Sequence, residues 1–196
     1  MSRSAQIERT TKETKINMLF DLDGTGTYDV DTGIGFFDHM LEGFTKHGYF
    51  NLTCKVSGDL HVDGHHTVED TGIVLGSAIK EAIGDKVGIR RYGSFILPMD
   101  DALILCSIDL CGRPYFVFDC DFNTEKCGYL DTQLVKEFFY SISYSAGMNL
   151  HIRKLSGEND HHTIEAIFKA FAKALDEATG IDNRNTGILS TKGTLV

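Results

Sequence analysis

The chain has 196 residues, 42% hydrophobic and 24% charged, and its 28 acidic against 19 basic side chains give a formal net charge of −9. That length holds one large domain or two small ones, and the acidic balance argues against a partner bound through a nucleic-acid backbone. No apolar run approaches a membrane span and nothing at the start reads as a signal peptide, so a cytoplasmic protein with no membrane partner is expected. Five cysteines, odd in number and lacking a C-x-x-C pair, read as reduced thiols packed as small apolar groups.

Alternating apolar and polar residues predict strands near 6–11 and 15–22, a helix near 36–47 and a strand near 52–56. A helix then opens at the H-H-T-V-E-D block, residues 65–70, with Val68, Leu75, Ile79, Ala82 and Ile83 along one side and Gly84 as its stop. Strands follow near 94–97, 102–110 and 115–118, with a helix near 132–146 and a strand near 150–155. The last helix opens at H-H-T-I-E-A, residues 161–166, carries Ile164, Ile167, Phe168, Phe171, Ala172 and Leu175 as an apolar stripe, and stops at Gly180. One stretch is ambiguous. Phe20-Asp21-Leu22-Asp23-Gly24-Thr25 resembles the nucleophile motif of haloacid-dehalogenase-type phosphotransferases, in which the first Asp is phosphorylated. That chemistry requires a parallel βαβ succession, whereas the glycines from Gly24 to Gly35 read as a turn.

The two H-H blocks lie ninety-six residues apart, and Asn51-Leu52 and Ser57-Gly58 recur as Asn149-Leu150 and Ser156-Gly157. Each half reads as strands, helix, strand, helix. The expected fold is therefore an α+β duplicated half-domain, 1–92 and 93–196, packed as one body with sheets against helices. On a helix, residues four apart lie within about 40° of each other, while neighbours diverge by about 100°. His65 can therefore share a cation with Glu69, and His161 with Glu165, while His66 and His162 serve different sites. His39, on the preceding helix, is a further candidate, and the repeat maps it onto Glu137. Imidazole and carboxylate donors without thiolate suit Mn²⁺, Fe²⁺ or Zn²⁺.

The strings T-G-I-G-F-F-D-H-M-L (32–41), D-G-H-H-T-V-E-D (63–70), R-R-Y-G-S-F-I-L-P-M-D-D-A-L (90–103), L-H-I-R-K-L-S-G-E-N-D-H-H-T-I-E-A (150–166) and S-T-K-G (190–193) resemble imidazoleglycerol-phosphate dehydratase. The likeness runs from R-T-T-K-E-T at 9–14 onward. It implies a hydro-lyase of histidine biosynthesis that converts imidazole glycerol phosphate to imidazole acetol phosphate. It also implies a homo-oligomeric shell of 24 subunits with paired Mn²⁺ ions at subunit interfaces. One metal would take His39, His66, His161 and Glu165, and the other His65, Glu69, His162 and Glu137, where several family members have His.

The proton that must leave the substrate side chain is not acidic by itself. A metal-bound imidazolate, expelling the hydroxyl through a diazafulvene-like intermediate, would solve that problem. The resemblance assigns proton transfer to Glu13, with Glu69 and Glu165 as metal-bound alternatives. It assigns phosphate binding to Arg91, Arg113, Lys169, Ser190, Thr191 and Lys192, and substrate contacts also to Glu13, His39, His47, His65 and His161. Asp100 and Asp101 are expected to orient imidazoles, and His61 and His151 to be structural. The rival to an enzyme is a metal-storing shell, which needs the metal ligands but not Glu13, Arg91, Arg113 or Lys192.

Overall fold

The computed structural model describes residues 3–195. In chain order, the first half comprises β1 (Ser4–Thr10), β2 (Thr14–Asp21), β3 (Tyr28–Asp31), α1 (Gly35–Gly48), β4 (Asn51–Gly58) and α2 (His65–Ile83). The second comprises β5 (Tyr92–Met99), β6 (Ala102–Asp109), β7 (Tyr115–Asp119), the short hairpin β8 (Lys126–Cys127) and β9 (Leu130–Asp131), α3 (Gln133–Ala146), β10 (Asn149–Ser156) and α4 (Asp160–Thr179). The first sheet is ordered β1-β2-β4-β3 and the second β5-β6-β10-β7. In both, the last strand pairs parallel with its neighbour and every other pairing is antiparallel. The fold is α+β and its topology is written twice.

Two elements have no clear counterpart in the sequence pattern. β3, Y-D-V-D, is a four-residue edge strand rich in aspartate, a composition that strand propensity disfavours, and its parallel pairing with β4 supplies what the residues lack. The β8–β9 hairpin is only two residues on each side. The remaining elements fall within about two residues of their predicted ends, a normal fraying margin.

The strict alternation of β2 and β6 turns one face of each sheet inward, with Ile16, Met18 and Phe20 on one and Ile104, Cys106 and Ile108 on the other. The helices lie between the two sheets. Helix α2 packs on β1 and β2, and also on α3 of the other half; α4 packs on β5 and β6, and also on α1. A single core results. The Phe44 and Phe171 rings are stacked with centroids 5.6 Å apart, and those of Phe138 and Phe168 at 5.3 Å. Cys54, Cys106 and Cys111 are buried in this body; burial pushes the Cys54 thiol up to about 12, so it stays protonated and packs as an apolar group.

Asp21 ends β2, which is antiparallel to both its neighbours, so no βαβ unit follows it. Its carboxylate accepts the Asp23 N–H at 3.0 Å, and the Asn51 side-chain oxygen accepts the Thr25 and Thr27 N–H groups. The D-x-D-G-T stretch is a hydrogen-bonded turn. Among the described residues no helix is long and apolar enough to cross a membrane.

Two close approaches depend on glycine. A Cβ at Gly72 of α2 would stand 2.7 Å from the Phe138 carbonyl oxygen of α3, and one at Gly93 of β5 only 1.9 Å from the Ala174 carbonyl oxygen of α4. Helix α4 is thus seated on its sheet through backbone contact at Gly93. Gly93→Val should destabilise the protein by about 2 kcal/mol or more through overpacking, read as a lowered thermal midpoint by circular dichroism. An unchanged midpoint would show that α4 does not need this approach.

Candidate active site

The contact between α1 and α4 brings together residues far apart in sequence. His39 projects from α1, and His161 and Glu165 lie one turn apart at the start of α4. One ligand atom from each falls within 4.8 Å of the others. His161 Nε2 is 3.2 Å from Glu165 Oε2, and His39 Nε2 is 3.9 Å from the same oxygen. The start of α4 is fixed locally: the Asn159 side chain caps it by accepting the His162 N–H, and the Phe36 ring lies 5.0 Å from that of His161. Burial raises the Glu165 carboxyl, but the Lys169 ammonium at 2.6 Å, with His39 and His161 nearby, more than offsets this and holds it below its usual range. The result is two imidazoles around a charged, mostly buried carboxylate.

The second histidine of each block is treated alike in both halves. His66 Nδ1 is 3.0 Å from Asp59 Oδ2, and His162 Nδ1 is 2.7 Å from Asp101 Oδ1. A carboxylate on Nδ1 fixes the ring and leaves Nε2 as the outward nitrogen. Each Nε2 faces a carboxylate from the turn joining the first two strands of its half: Glu13 at 3.8 Å from His66, and Asp100 at 3.4 Å from His162. The Asp59 hydrogen bond, followed by the nearby Glu13 and Asp63 charges, raises the His66 pKa. Asp101 also accepts the N–H groups of Glu158 and Asn159, and these bonds with His162 hold its carboxyl well below the usual carboxylate range. His65 and Glu69 face each other at 3.8 Å, one turn apart on α2.

A second locus is cationic. Arg91, Arg113, Ser190, Thr191 and Lys192 line one cavity of about 640 Å³, with Tyr92, Ile188, Leu189, Thr194 and Leu195 as its other walls. Arg91 sits at φ 72° and its guanidinium is held in place: Nε and Nη2 donate to the two oxygens of Asp109 at 2.7 and 3.1 Å, and Nη1 donates to the Leu189 carbonyl at 2.7 Å. The side chains of Arg113 and Lys192 make no ion pair among the described residues. Residues as far apart in sequence as Arg91 and Lys192 thus form a pocket suited to an anion.

Other candidates fall elsewhere. Lys169 is bonded to Glu165 beside the imidazole cluster, not in the cationic cavity. His47 lies on α1 near Lys169 and Glu165; burial, and then the Lys169 charge, lower its pKa. Glu137 lines a separate cavity between α3 and the end of β7, with Asp119, Cys120 and Lys136, and pairs with no histidine among the described residues. The pattern reading did not single out Asp59 and Asp109. Asp59 ends no motif and Asp109 resembles any polar residue on an alternating strand, so only the fold reveals their histidine and arginine partners.

Converging imidazoles and carboxylates, together with a preorganised cationic pocket elsewhere on the chain, point to an enzyme rather than a binding surface alone. Comparison with known proteins specifies the class. The sequence model of the imidazoleglycerol-phosphate dehydratase family matches residues 32–175. The chain is 66% identical over 195 residues to the imidazoleglycerol-phosphate dehydratase of Lachnoclostridium phytofermentans and 54% identical to that of Acetivibrio thermocellus, covering 100% of each chain in both cases. The crystal structure of the Staphylococcus aureus imidazoleglycerol-phosphate dehydratase superposes with a TM-score of 0.83 at 40% identity, over 91% of this chain and 99% of that one. That of IGPD from Pyrococcus furiosus superposes at 0.84 and 35%, over 96% and 100%. The chain belongs to the imidazoleglycerol-phosphate dehydratase family and is a hydro-lyase.

The two arginines of the cationic cavity should separate in their effects. Arg113→Ala removes an unpaired guanidinium and should raise KM about tenfold without moving the thermal midpoint. Arg91→Ala should raise KM and also lower the midpoint, because it leaves Asp109 without its partner. Steady-state kinetics and thermal melting of both variants check the pair of expectations.

Proposed function

We propose that this protein dehydrates D-erythro-imidazole glycerol phosphate to imidazole acetol phosphate in the histidine-biosynthetic pathway of the cytoplasm, with two Mn²⁺ ions per active site. The observation that carries the reading is the convergence of His39, His161 and Glu165 to within 4.8 Å. Two imidazole nitrogens and a carboxylate oxygen, with no thiolate, are a donor set suited to Mn²⁺ or a related divalent ion. The carboxylate-oriented rings of His66 and His162 offer further Nε2 donors, and His65 with Glu69 offers another pair. When bound, such ions supply Lewis acidity to the imidazole of the substrate and a template that orients it.

The chain's own groups divide the remaining work. Arg91, Arg113, Ser190, Thr191 and Lys192 would hold the phosphate. Glu13, exposed beside His66, would take a proton from the substrate carbon and return one. Glu69 and Glu165 would serve as ligands that can also exchange protons. His47, at the α1–α4 face, would border the imidazole end. The phosphate pocket counts against the metal-storing reading, since a storage shell has no use for a cradle of arginine, lysine and hydroxyls.

One chain does not complete this site. The Arg91 N–H donates to the Ala178 carbonyl at the far end of α4, thirteen residues beyond Glu165. At the helical rise that separation is about 20 Å. An imidazole joined through three carbons to a phosphate is about 9 Å long at ordinary bond lengths. The substrate cannot reach both loci of one chain, which supports an oligomer, of 24 subunits in the family reading, in which neighbouring chains combine their ends. His66, which is not among the donors that converge with His39 in the single chain, fits the same arrangement.

Manganese-loaded protein should convert imidazole glycerol phosphate to the acetol phosphate, and a chelator should abolish turnover. Glu13→Gln should lower kcat about 100-fold with metal content unchanged. His161→Ala should lose metal by elemental analysis, and Asp21→Asn should leave turnover unchanged. Absence of conversion by the manganese-loaded protein would defeat the assignment. Chelation, or His66→Ala, should also reduce the assembly size in size-exclusion chromatography, since shared ligands couple assembly to metal binding.

A further inference from the structure

The turn between β1 and β2 carries Glu13 and is tied to α2 by a buried network that the catalytic assignment does not use. Asp70 follows the ligand residue Glu69, and its side chain is 8% exposed. One carboxylate oxygen accepts Arg9 Nη2 at 2.9 Å, and the other accepts a short hydrogen bond from the Thr14 hydroxyl. Thr14 closes the turn: its carbonyl accepts the Thr11 N–H at 2.9 Å, and the Thr11 hydroxyl accepts the N–H groups of Glu13 and Thr14 at 3.1 and 3.0 Å. The Glu13 carbonyl accepts the N–H of Asp59, the residue that orients His66. Asp70 therefore holds the residue next to Glu13 through one hydroxyl.

The duplication provides an internal control. Strand register aligns Phe20 and Leu52 with Ile108 and Leu150, which places Thr14 on Ala102. Arg9 faces Ile16 as Leu97 faces Ile104, and Asp70 corresponds to Ala166 by the offset of the H-H blocks. The same backbone is thus built with Arg9, Thr14 and Asp70 in one half and with Leu97, Ala102 and Ala166 in the other. The backbone topology is compatible with apolar residues at these positions, as the second half shows. Buried ion pairs generally stabilise no more than well-packed apolar groups, and here the arginine Nε is buried without a partner among the described residues.

We propose that Asp70, acting through Thr14 and supported by Arg9, is a positioning residue that holds the Glu13 turn against the ligand-bearing helix α2. The proposal rests on the proton-transfer role of Glu13 given above. Its effect falls on kcat, because the network touches no substrate-binding group in the cationic cavity and no metal ligand directly.

The test grafts the residues of the second half onto the first. Arg9→Leu, Thr14→Ala and Asp70→Ala are combined in the full-length, manganese-loaded enzyme, and again in the Glu13→Gln background. The triple variant should assemble, bind manganese as the parent does, and lose at least tenfold in kcat with KM within twofold. In the Glu13→Gln background the same triple should lose less than twofold, since two groups acting through one step are not additive. Thr14→Val, which removes only the hydroxyl, should show the same pattern at smaller size if the triple fails to assemble. A kcat within twofold of the parent for both variants overturns the proposal, as does a loss repeated in full on Glu13→Gln. If Glu13→Gln alone runs at the parental rate, the role of Glu13 itself fails; that result is distinct from a slow Glu13→Gln beside a fast triple variant.

Discussion

The packing of α4 against α1 is the contact on which the site depends. Along its length it buries the Phe44–Phe171 stack, and at its open end it sets His39 beside His161 and Glu165. A buried carboxylate between two imidazoles is costly unless something compensates it, and the Lys169 ammonium does so from the next turn of the same helix. The helix is seated in turn on its sheet through Gly93, where strand and helix backbones approach too closely for any side chain. Core packing and donor geometry are therefore one constraint: a shift of α4 that loosened the aromatic stack would also pull the donors apart.

Duplication gives the molecule two versions of one local device. In each half the second histidine of the H-H pair has Nδ1 on a carboxylate and Nε2 turned toward an acid on the strand-joining turn. The versions are not equal in detail. The first turn is fastened from below by Asp70 and Thr14, whereas the second is fastened by Asp101, which binds the start of α4 directly. Divergence after duplication has kept the helix-borne donors alike and changed the means of holding the acids. In the proposed function, this division would suit a site with two similar metal-ligand sets but not two identical proton-transfer groups.

The separation of the two loci is the other governing distance. Donors lie at the start of α4 and the arginines at its end, and a rigid helix keeps them about 20 Å apart. In the proposed function, a small substrate with a ring at one end and a phosphate at the other would have to be read by two chains. A single chain accordingly shows three donors in one place, two in another, and a separate cationic cavity.

The helices, most strands and the H-H-x-x-E blocks were legible because their signals are periodic and local. A 3.6-residue stripe and a two-residue alternation survive without knowledge of what they pack on. The pairing of His65 with Glu69 and of His161 with Glu165 was legible for the same reason, since a helix fixes the relation between residues four apart. The sequence by itself also determined the duplication, through strings recurring at a constant offset. Tertiary structure alone decided that β3 is a strand, that Asp59 and Asp109 are the partners of His66 and Arg91, and that Lys169 is paired with Glu165. It also revealed that Asp70 is bonded to Arg9 and Thr14 where its counterpart is Ala166, a change that reads in sequence as ordinary drift. These relations join residues through space, and hydrogen bonds between distant segments leave no periodic trace along a chain.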